Sequence, residues 1–142
     1  MNKPGQHEGR VALITGAASG IGLQIARDLA QQGALVCVLD RNGPAAHAAA
    51  QGIVDAGGQA EACVADLVDP DAITTAVDTL LGRHGAIDIL VNNAGVVSTQ
   101  PASDVSLSQW NTTLAINLTA PMLLTQAVLP GMAAKGWGRI VN

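Results

Sequence analysis

The sequence predicts an α/β protein in which helices cover both faces of a doubly wound parallel sheet. Two observations support this fold class. Short apolar runs of strand length alternate along the chain with amphipathic segments of about 10 to 15 residues. Glycine, proline and aspartate stand at junctions between these segments, where the backbone must turn. Alternation of this kind predicts parallel strands joined by right-handed crossovers.

Five apolar segments are predicted strands: residues 10–15, 34–40, 60–66, 88–95 and the segment from Gly138 onward. The first two are continuous apolar runs, which is typical of strands covered on both faces. The third alternates more and contains Glu61, which favours a position at the edge of the sheet. The fourth continues into a glycine-containing loop.

Four helices are predicted between these strands. The first has apolar residues at helical spacing, and the second is Ala-rich from Asn42 to Gly57. The third begins at the cap Asp69, and the fourth begins at a capping box of Ser106 and Gln109 and runs to about residue 134. In the first helix Ile21, Ile25 and Leu29 recur at helical spacing, and the third helix is expected to bury Ile73, Val77, Leu80 and Leu81.

Composition argues against several classes of protein. The net charge is −4 and the seven Lys and Arg residues are scattered, so no nucleic-acid partner is expected. We expect no membrane partner, because no apolar run approaches the roughly 20 residues of a membrane span. The polar start has no apolar signal core, which favours a cytoplasmic location.

Cys37 and Cys63 each lie inside an apolar run and are expected to be buried, reduced thiols. A disulfide or a metal pair is the alternative, but no histidine lies at ligand spacing from either cysteine. The three histidines are expected to be structurally neutral surface residues: His7, His47 and His84. No metal site is therefore predicted.

The segment TGAASGIG, residues 15–22, lies at the junction of the first strand and the first helix. Unpaired amides and the positive dipole end of a helix N-terminus suit a pyrophosphate. Gly16 can adopt a tight turn, Gly20 permits close approach of a ligand, and Gly22 lets the helix lie near the sheet. The segment therefore predicts a dinucleotide site, and a turn without a ligand is the alternative. It is not a P-loop, because no Gly-Lys-Ser/Thr follows.

Asp40 ends the second strand about twenty residues after this loop, where an acid can accept hydrogen bonds from an adenosine ribose. Its carboxylate would repel a 2′-phosphate, and Ser19 offers such a phosphate no charge. The neighbouring Arg41 could attract one. On balance the sequence predicts NAD, with NADP as the less favoured cofactor.

Several motifs occur together in this order: Thr15-Gly16-x-x-x-Gly20-Ile21-Gly22, Asp40, Asp66-Leu67, Asn92-Asn93-Ala94-Gly95 and Asn117. From about residue 8 to its last residue, the chain resembles the short-chain dehydrogenase/reductase family in these motifs. The resemblance implies a Rossmann-type sheet with strand order 3-2-1-4-5. It also implies hydride transfer between a secondary alcohol or ketone and a nicotinamide cofactor.

The resemblance also implies roles for individual residues. The cofactor-binding set would be Gly16, Ala18, Ser19, Gly20, Ile21 and Gly22 at the pyrophosphate, Asp40 and Arg41 at the adenosine ribose, Asp66 and Leu67 at the adenine, and Asn93, Ala94 and Gly95 at the nicotinamide-side ribose. Asn117 matches the asparagine of the catalytic Asn-Ser-Tyr-Lys set. Pro121 lies four residues after Asn117 and has no N–H, so an interruption of the helix is expected there.

In the family, the catalytic serine and the Tyr-x-x-x-Lys pair would follow Asn142, and this chain contains no tyrosine. We therefore expect residues 1–142 to be a single cofactor-binding domain that is incomplete at its C-terminus and inactive alone. An uncovered fifth strand would make such a fragment prone to association. By family analogy, residues 106–134 would contribute to a homodimer or tetramer interface. The alternatives are a non-catalytic nucleotide-binding or scaffold relative and, less favoured, a methyltransferase-like domain.

Overall fold

The computed structural model describes residues 5–142. Its strands are β1 (Val11–Thr15), β2 (Leu35–Asp40), β3 (Gln59–Val64), β4 (Ile89–Val91) and β5 (Arg139–Val141). Its helices are α1 (Gly20–Gln31), α2 (Gly43–Asp55), α3 (Pro70–His84), α4 (Leu107–Leu114) and α5 (Ala120–Lys135), with a 3-10 turn at Ala102–Asp104 and a π-helical turn at Ala115–Thr119. All strand pairs are parallel, in the order β3-β2-β1-β4-β5. The predicted fold class and strand order are confirmed.

The sheet separates two apolar layers, because successive side chains of a strand point to opposite faces. Leu13, Leu39 and Leu90 belong to the layer that α3 and α5 cover. Ile14 and Val38 belong to the layer on the opposite face, which α1 and α2 cover. Strands that are buried on both faces explain the continuous apolar runs in the sequence.

Three predicted helix starts are confirmed by their caps. The Asn42 side chain accepts from the Ala45 amide at α2, and the Asp69 side chain accepts from the Asp71 amide at α3. Ser106 and Gln109 form the predicted capping box at α4. The side chains at these junctions therefore satisfy amides that a helix would otherwise leave unpaired.

Helix α1 buries small residues against the sheet. Its buried residues are Gly22, Ala26 and Ala30, whereas Ile21 is 75% exposed. The helix lies so close to β1 that only small side chains fit between them. The Ile21 side chain lines a surface cleft.

The interruption predicted near Pro121 is present as the π-helical turn at Ala115–Thr119. The Ala120 amide donates to the Ala115 carbonyl, five residues earlier, which widens the helix by one residue. A proline at position 121 offers no N–H to the carbonyl four residues before it, so the regular pattern cannot continue there.

The helical segment Leu107–Lys135 has the length and apolar composition of a membrane span, with a mean hydropathy of 1.3 in its most apolar window. Core helices of folded domains meet the same criterion. Five of its residues pack into the domain core: Ile116, Ala120, Leu124, Val128 and Met132. The absence of a membrane partner therefore stays a prediction.

Cys37 and Cys63 are buried and unpaired, as predicted. The prediction that His84 is a neutral surface residue is wrong. Its ring is half-buried and forms a hydrogen bond with Glu61 on β3. The contact joins residues 23 positions apart, so spacing along the chain does not reveal it.

Candidate functional site

A cleft of about 470 Å³ opens at the carboxyl ends of β1, β2 and β4. Ten residues predicted from the sequence line it: Gly16, Ser19, Ile21, Asp40, Arg41, Asp66, Leu67, Asn93, Ala94 and Gly95. Four other predicted residues, Ala18, Gly20, Gly22 and Asn117, are not in its lining. Open parallel sheets bind ligands at this end, where the strand order reverses, which here is between β1 and β4.

Helix α1 begins at this cleft without a side-chain cap. Ser19 occupies the cap position, but its side chain accepts no hydrogen bond from the first turn. The first turn also contains no acidic residue. By contrast, side chains cap α2, α3 and α4. The N-terminus of α1 therefore leaves amide donors and a positive dipole end available to an anion from outside the chain.

Two positions of the loop favour glycine for different structural reasons. A Cβ atom on Gly22 would lie 2.5 Å from both the Gly16 carbonyl oxygen and the Asn93 side-chain nitrogen, so only glycine fits. Gly20 has a φ of +57° and nothing within 4 Å of its Cβ position. Position 20 therefore combines a backbone conformation that favours glycine with open space over the backbone.

Polar contacts join the glycine loop to the loop after β4. The Asn93 side-chain amide donates to the Thr15 carbonyl at 2.9 Å and to the Gly16 carbonyl at 3.3 Å. The Ala94 amide donates to the Thr15 hydroxyl at 3.0 Å. These bonds hold the two walls of the cleft together. Sequence reasoning assigned no role to Thr15, although a hydroxyl at the end of a buried strand must find a partner.

Backbone amides hold the Asp40 carboxylate in place at the edge of the cleft. One oxygen accepts from the Ala18 amide at 3.2 Å, and the other accepts from the Asn42 amide at 3.0 Å. No basic side chain within residues 5–142 forms an ion pair with it. Because a carboxylate has about four acceptor sites, it retains capacity for further donors. Its charge and orientation suit a hydroxyl-bearing ligand.

Asn117 lies in the π-helical turn and fixes the loop that follows β4. Its side-chain oxygen accepts from the Val96 amide at 2.9 Å, and its side-chain nitrogen donates to the Val96 carbonyl at 2.8 Å. This two-point contact connects the helix to the wall of the cleft. In this structure the Asn117 side chain is a positioning group for residues 95 and 96.

A model of the short chain dehydrogenase family matches residues 10–142 of the chain. D-threitol dehydrogenase from Mycolicibacterium smegmatis is 43% identical over 135 residues, which cover 95% of this chain and 52% of that protein. The chain spans about half the length of the curated relatives it matches.

Two solved structures have closely similar folds. A metagenomic short-chain oxidoreductase in complex with NADP superposes with a TM-score of 0.91 at 41% identity, covering 94% of this chain and 60% of that one. A 7α-hydroxysteroid dehydrogenase complexed with NADH and 7-oxo-glycochenodeoxycholic acid gives a TM-score of 0.90 at 35% identity, covering 99% of this chain and 55% of that one.

Proposed function

Because the chain belongs to the short-chain dehydrogenase family, we propose that it is the cofactor-binding part of an NAD(H)-dependent oxidoreductase. The full reaction is hydride transfer between a secondary alcohol or ketone and nicotinamide. The observation that carries the proposal is the uncapped N-terminus of α1, which opens onto the same cleft as the free acceptor sites of Asp40. A dinucleotide needs both features, an anion site for its diphosphate and an acceptor for its ribose.

The residues of the cleft fit this cofactor. The first-turn amides of α1 would hold the diphosphate, and Asp40 would accept from the adenosine ribose. Asp66 and Leu67 would contact the adenine, while residues 93–95 would line the nicotinamide-side ribose. When bound, the cofactor supplies the hydride acceptor or donor, and the protein supplies binding and orientation.

We assign the preference to NAD, although the related metagenomic oxidoreductase was solved with NADP and the 7α-hydroxysteroid dehydrogenase with NADH. The support for NAD is the Asp40 carboxylate, which two amides hold at the edge of the cleft, where it would repel a 2′-phosphate. Arg41 also lines the cleft and is the group that would favour NADP.

We further propose that residues 1–142 alone bind cofactor but do not turn over substrate. The chain contains no tyrosine to act as the general acid or base on the substrate oxygen. Asn117 is the one member of the family's catalytic set that the chain contains, and its side chain is engaged with Val96. Measurable alcohol oxidation by the purified chain would contradict this part of the proposal.

Cofactor titration tests the binding site directly. NADH and NADPH are added separately to the purified protein, and binding is followed by nicotinamide fluorescence. We expect NADH to bind more tightly, and Asp40→Ala to weaken NADH binding by about tenfold or more, since hydrogen bonds to charged groups contribute roughly 1.5 to 3 kcal/mol. The control is Asp55→Ala, an exposed carboxylate at the end of α2 that is hydrogen-bonded to Gln51.

Two results of this titration would overturn parts of the proposal. Equal NADH affinity in the parent protein and in Asp40→Ala would remove Asp40 from the site. Tighter binding of NADPH than of NADH by the parent protein would reverse the cofactor preference and leave the family assignment intact.

We also propose that the protein forms a homo-oligomer through the exposed side of the helical segment Leu107–Lys135. Large apolar side chains of this segment are exposed: Leu107, Trp110, Leu114, Leu118, Met122 and Leu129. Apolar surface of this extent is a common feature of subunit interfaces. Sedimentation velocity of the purified protein tests the proposal, and a single monomeric species at micromolar concentration would contradict it.

A further inference from the structure

A cluster of three possible metal ligands lies on the α3 side of the sheet, outside the residues that line the cofactor cleft. Cys37 on β2 and Glu61 on β3 are register partners, so their side chains point to the same face of the sheet. The last turn of α3 brings His84 to the same place. The Cys37 thiol sulfur lies 3.7 Å from the Glu61 Oε1 atom, and His84 Nε2 forms a hydrogen bond with that oxygen. All three ligand atoms lie within 4.8 Å of one another.

We propose that Cys37, Glu61 and His84 bind one zinc ion. Thiolate, imidazole and carboxylate are the three side-chain ligands that zinc takes in proteins. Zinc–ligand bonds of about 2.0 to 2.3 Å at tetrahedral angles place two donor atoms roughly 3.4 to 3.6 Å apart. The sulfur–oxygen distance of 3.7 Å matches this spacing closely. His84 and Glu61 must exchange their direct hydrogen bond for bonds to the ion.

One side of the cluster is open to solvent. Cys37 is fully buried beneath it, whereas the side chains of Glu61 and His84 are 24% and 19% exposed. An ion can therefore approach from solvent and keep a water as its fourth ligand, as zinc does in sites with three protein ligands.

The charges in the cluster also suit a divalent cation. A thiolate and a carboxylate together neutralise Zn²⁺. Arg83 contacts the other carboxylate oxygen of Glu61 at 2.7 Å, which orients the carboxylate so that Oε1 faces Cys37 and His84.

Zinc must displace the proton of the Cys37 thiol. Burial, together with the nearby Glu61 charge, raises the pKa of the Cys37 thiol well above its usual range. The thiol proton therefore leaves to solvent when zinc binds.

Zinc at this position would join two strands and a helix. A metal that binds the folded chain and not the unfolded chain stabilises the fold in proportion to its affinity and concentration. The sequence-based prediction that the chain has no metal site considered ligand spacing along the chain, whereas these three ligands come from three separate elements. The proposal does not depend on the cofactor site.

The test uses purified, untagged protein that has been dialysed against a chelator. Zinc is then added, and the bound metal is counted by elemental analysis after removal of free ion. Cobalt(II) replaces zinc in a parallel sample, because thiolate-bound cobalt has a charge-transfer absorption band that nitrogen and oxygen ligands do not produce. The variants are Cys37→Ala and His84→Asn. Their controls are Cys63→Ala, a neighbouring buried cysteine outside the cluster, and His47→Asn, an exposed histidine on α2.

We expect one zinc per chain, a cobalt–thiolate band, and a higher thermal midpoint with zinc than without it. Cys37→Ala should abolish the band, and either cluster variant should weaken zinc binding by about tenfold or more. The controls should keep the band and the affinity. Absence of the band in the parent protein, or unchanged zinc affinity in His84→Asn, would overturn the proposal and leave the cluster as an ion-pair network. Because His84 is half-buried, its variant keeps the test decisive if Cys37→Ala fails to fold.

Discussion

Two carboxylates at opposite ends of the sheet show how differently the two ends are built. Asp88 lies at the amino end, just before β4, and is fully buried. It accepts from the Val11 amide at 2.9 Å and from Lys135 at 2.8 Å, and Arg10 lies 3.6 Å away. Asp40 lies at the carboxyl end of β2, is half-buried, and has only backbone amides as partners among the described residues.

This difference indicates which carboxylate stabilises the fold and which one is available to a ligand. At the amino end, the chain itself matches the charge with cations and an amide, and the carboxylate is fully buried, so a ligand cannot reach it. At the carboxyl end, the Asp40 charge and the first amides of α1 have spare capacity, and both border the same cleft. A polar group that the fold orients but does not neutralise is a candidate for binding. The comparison predicts that substitutions at the amino end change the stability of the fold and that substitutions at the carboxyl end change the affinity for the cofactor.

The largest expected effect is at Asp88. Asp88→Ala leaves the Val11 amide without its acceptor and two cations without a partner, and we expect a loss of about 3 kcal/mol in the free energy of unfolding. The measurement is urea denaturation followed by circular dichroism. Lys135→Met is the milder comparison, because Lys135 is partly exposed and its removal leaves Arg10 beside the carboxylate. Under conditions where Asp88→Ala is folded, a tenfold change in its NADH affinity would contradict the division between the two ends.

The second-largest effect is expected for a substitution at Gly22. In Gly22→Ala the new methyl group meets the Gly16 carbonyl oxygen and the Asn93 amide at 2.5 Å, so the two walls of the cleft must move apart. We expect about 2 kcal/mol of strain, a typical result of overpacking. Because the strain falls on the cleft, NADH affinity should fall by more than tenfold.

Gly52→Ala is the matched control for Gly22→Ala. Gly52 is a helical glycine on α2 with nothing within 4 Å of its Cβ position. Alanine there should raise stability by up to about 1 kcal/mol and leave NADH binding unchanged. Equal NADH affinity in Gly22→Ala and the parent protein would show that the cleft does not hold the cofactor as proposed.

Much of the fold was predictable because its signals are local. A continuous apolar run indicates a strand buried on both faces, and Asp69-Pro70 or Ser106 with Gln109 marks a helix start within a few residues. The glycine loop and Asp40 of the cleft were predictable from their positions at strand ends, whereas Asp66, Leu67 and residues 93–95 were identified through the resemblance to the family.

The contacts that organise the site were not predictable from spacing. Ala94 and Thr15 are 79 positions apart, and Val96 and Asn117 are 21 apart. The side chains that pair in such contacts depend on how strands and helices pack, which a single sequence does not show. The interaction of His84 with Glu61 escaped prediction in the same way.

The smallest expected effect is at the amino end of the sheet, where two guanidinium groups approach the Trp137 ring. The Arg10 group is 3.9 Å and the Arg139 group is 4.9 Å from the ring centre. Arg139 is exposed, so its cation–π contact should contribute only about 0.5 to 1 kcal/mol.

A double-mutant cycle with Trp137→Leu and Arg139→Gln, measured by urea denaturation, isolates that coupling from the apolar packing of the ring. NADH affinity should be unchanged in every member of the cycle, because both residues lie at the end of the sheet opposite the cleft. A coupling above about 2 kcal/mol would instead assign Trp137 a share of the stability that the comparison gives to Asp88.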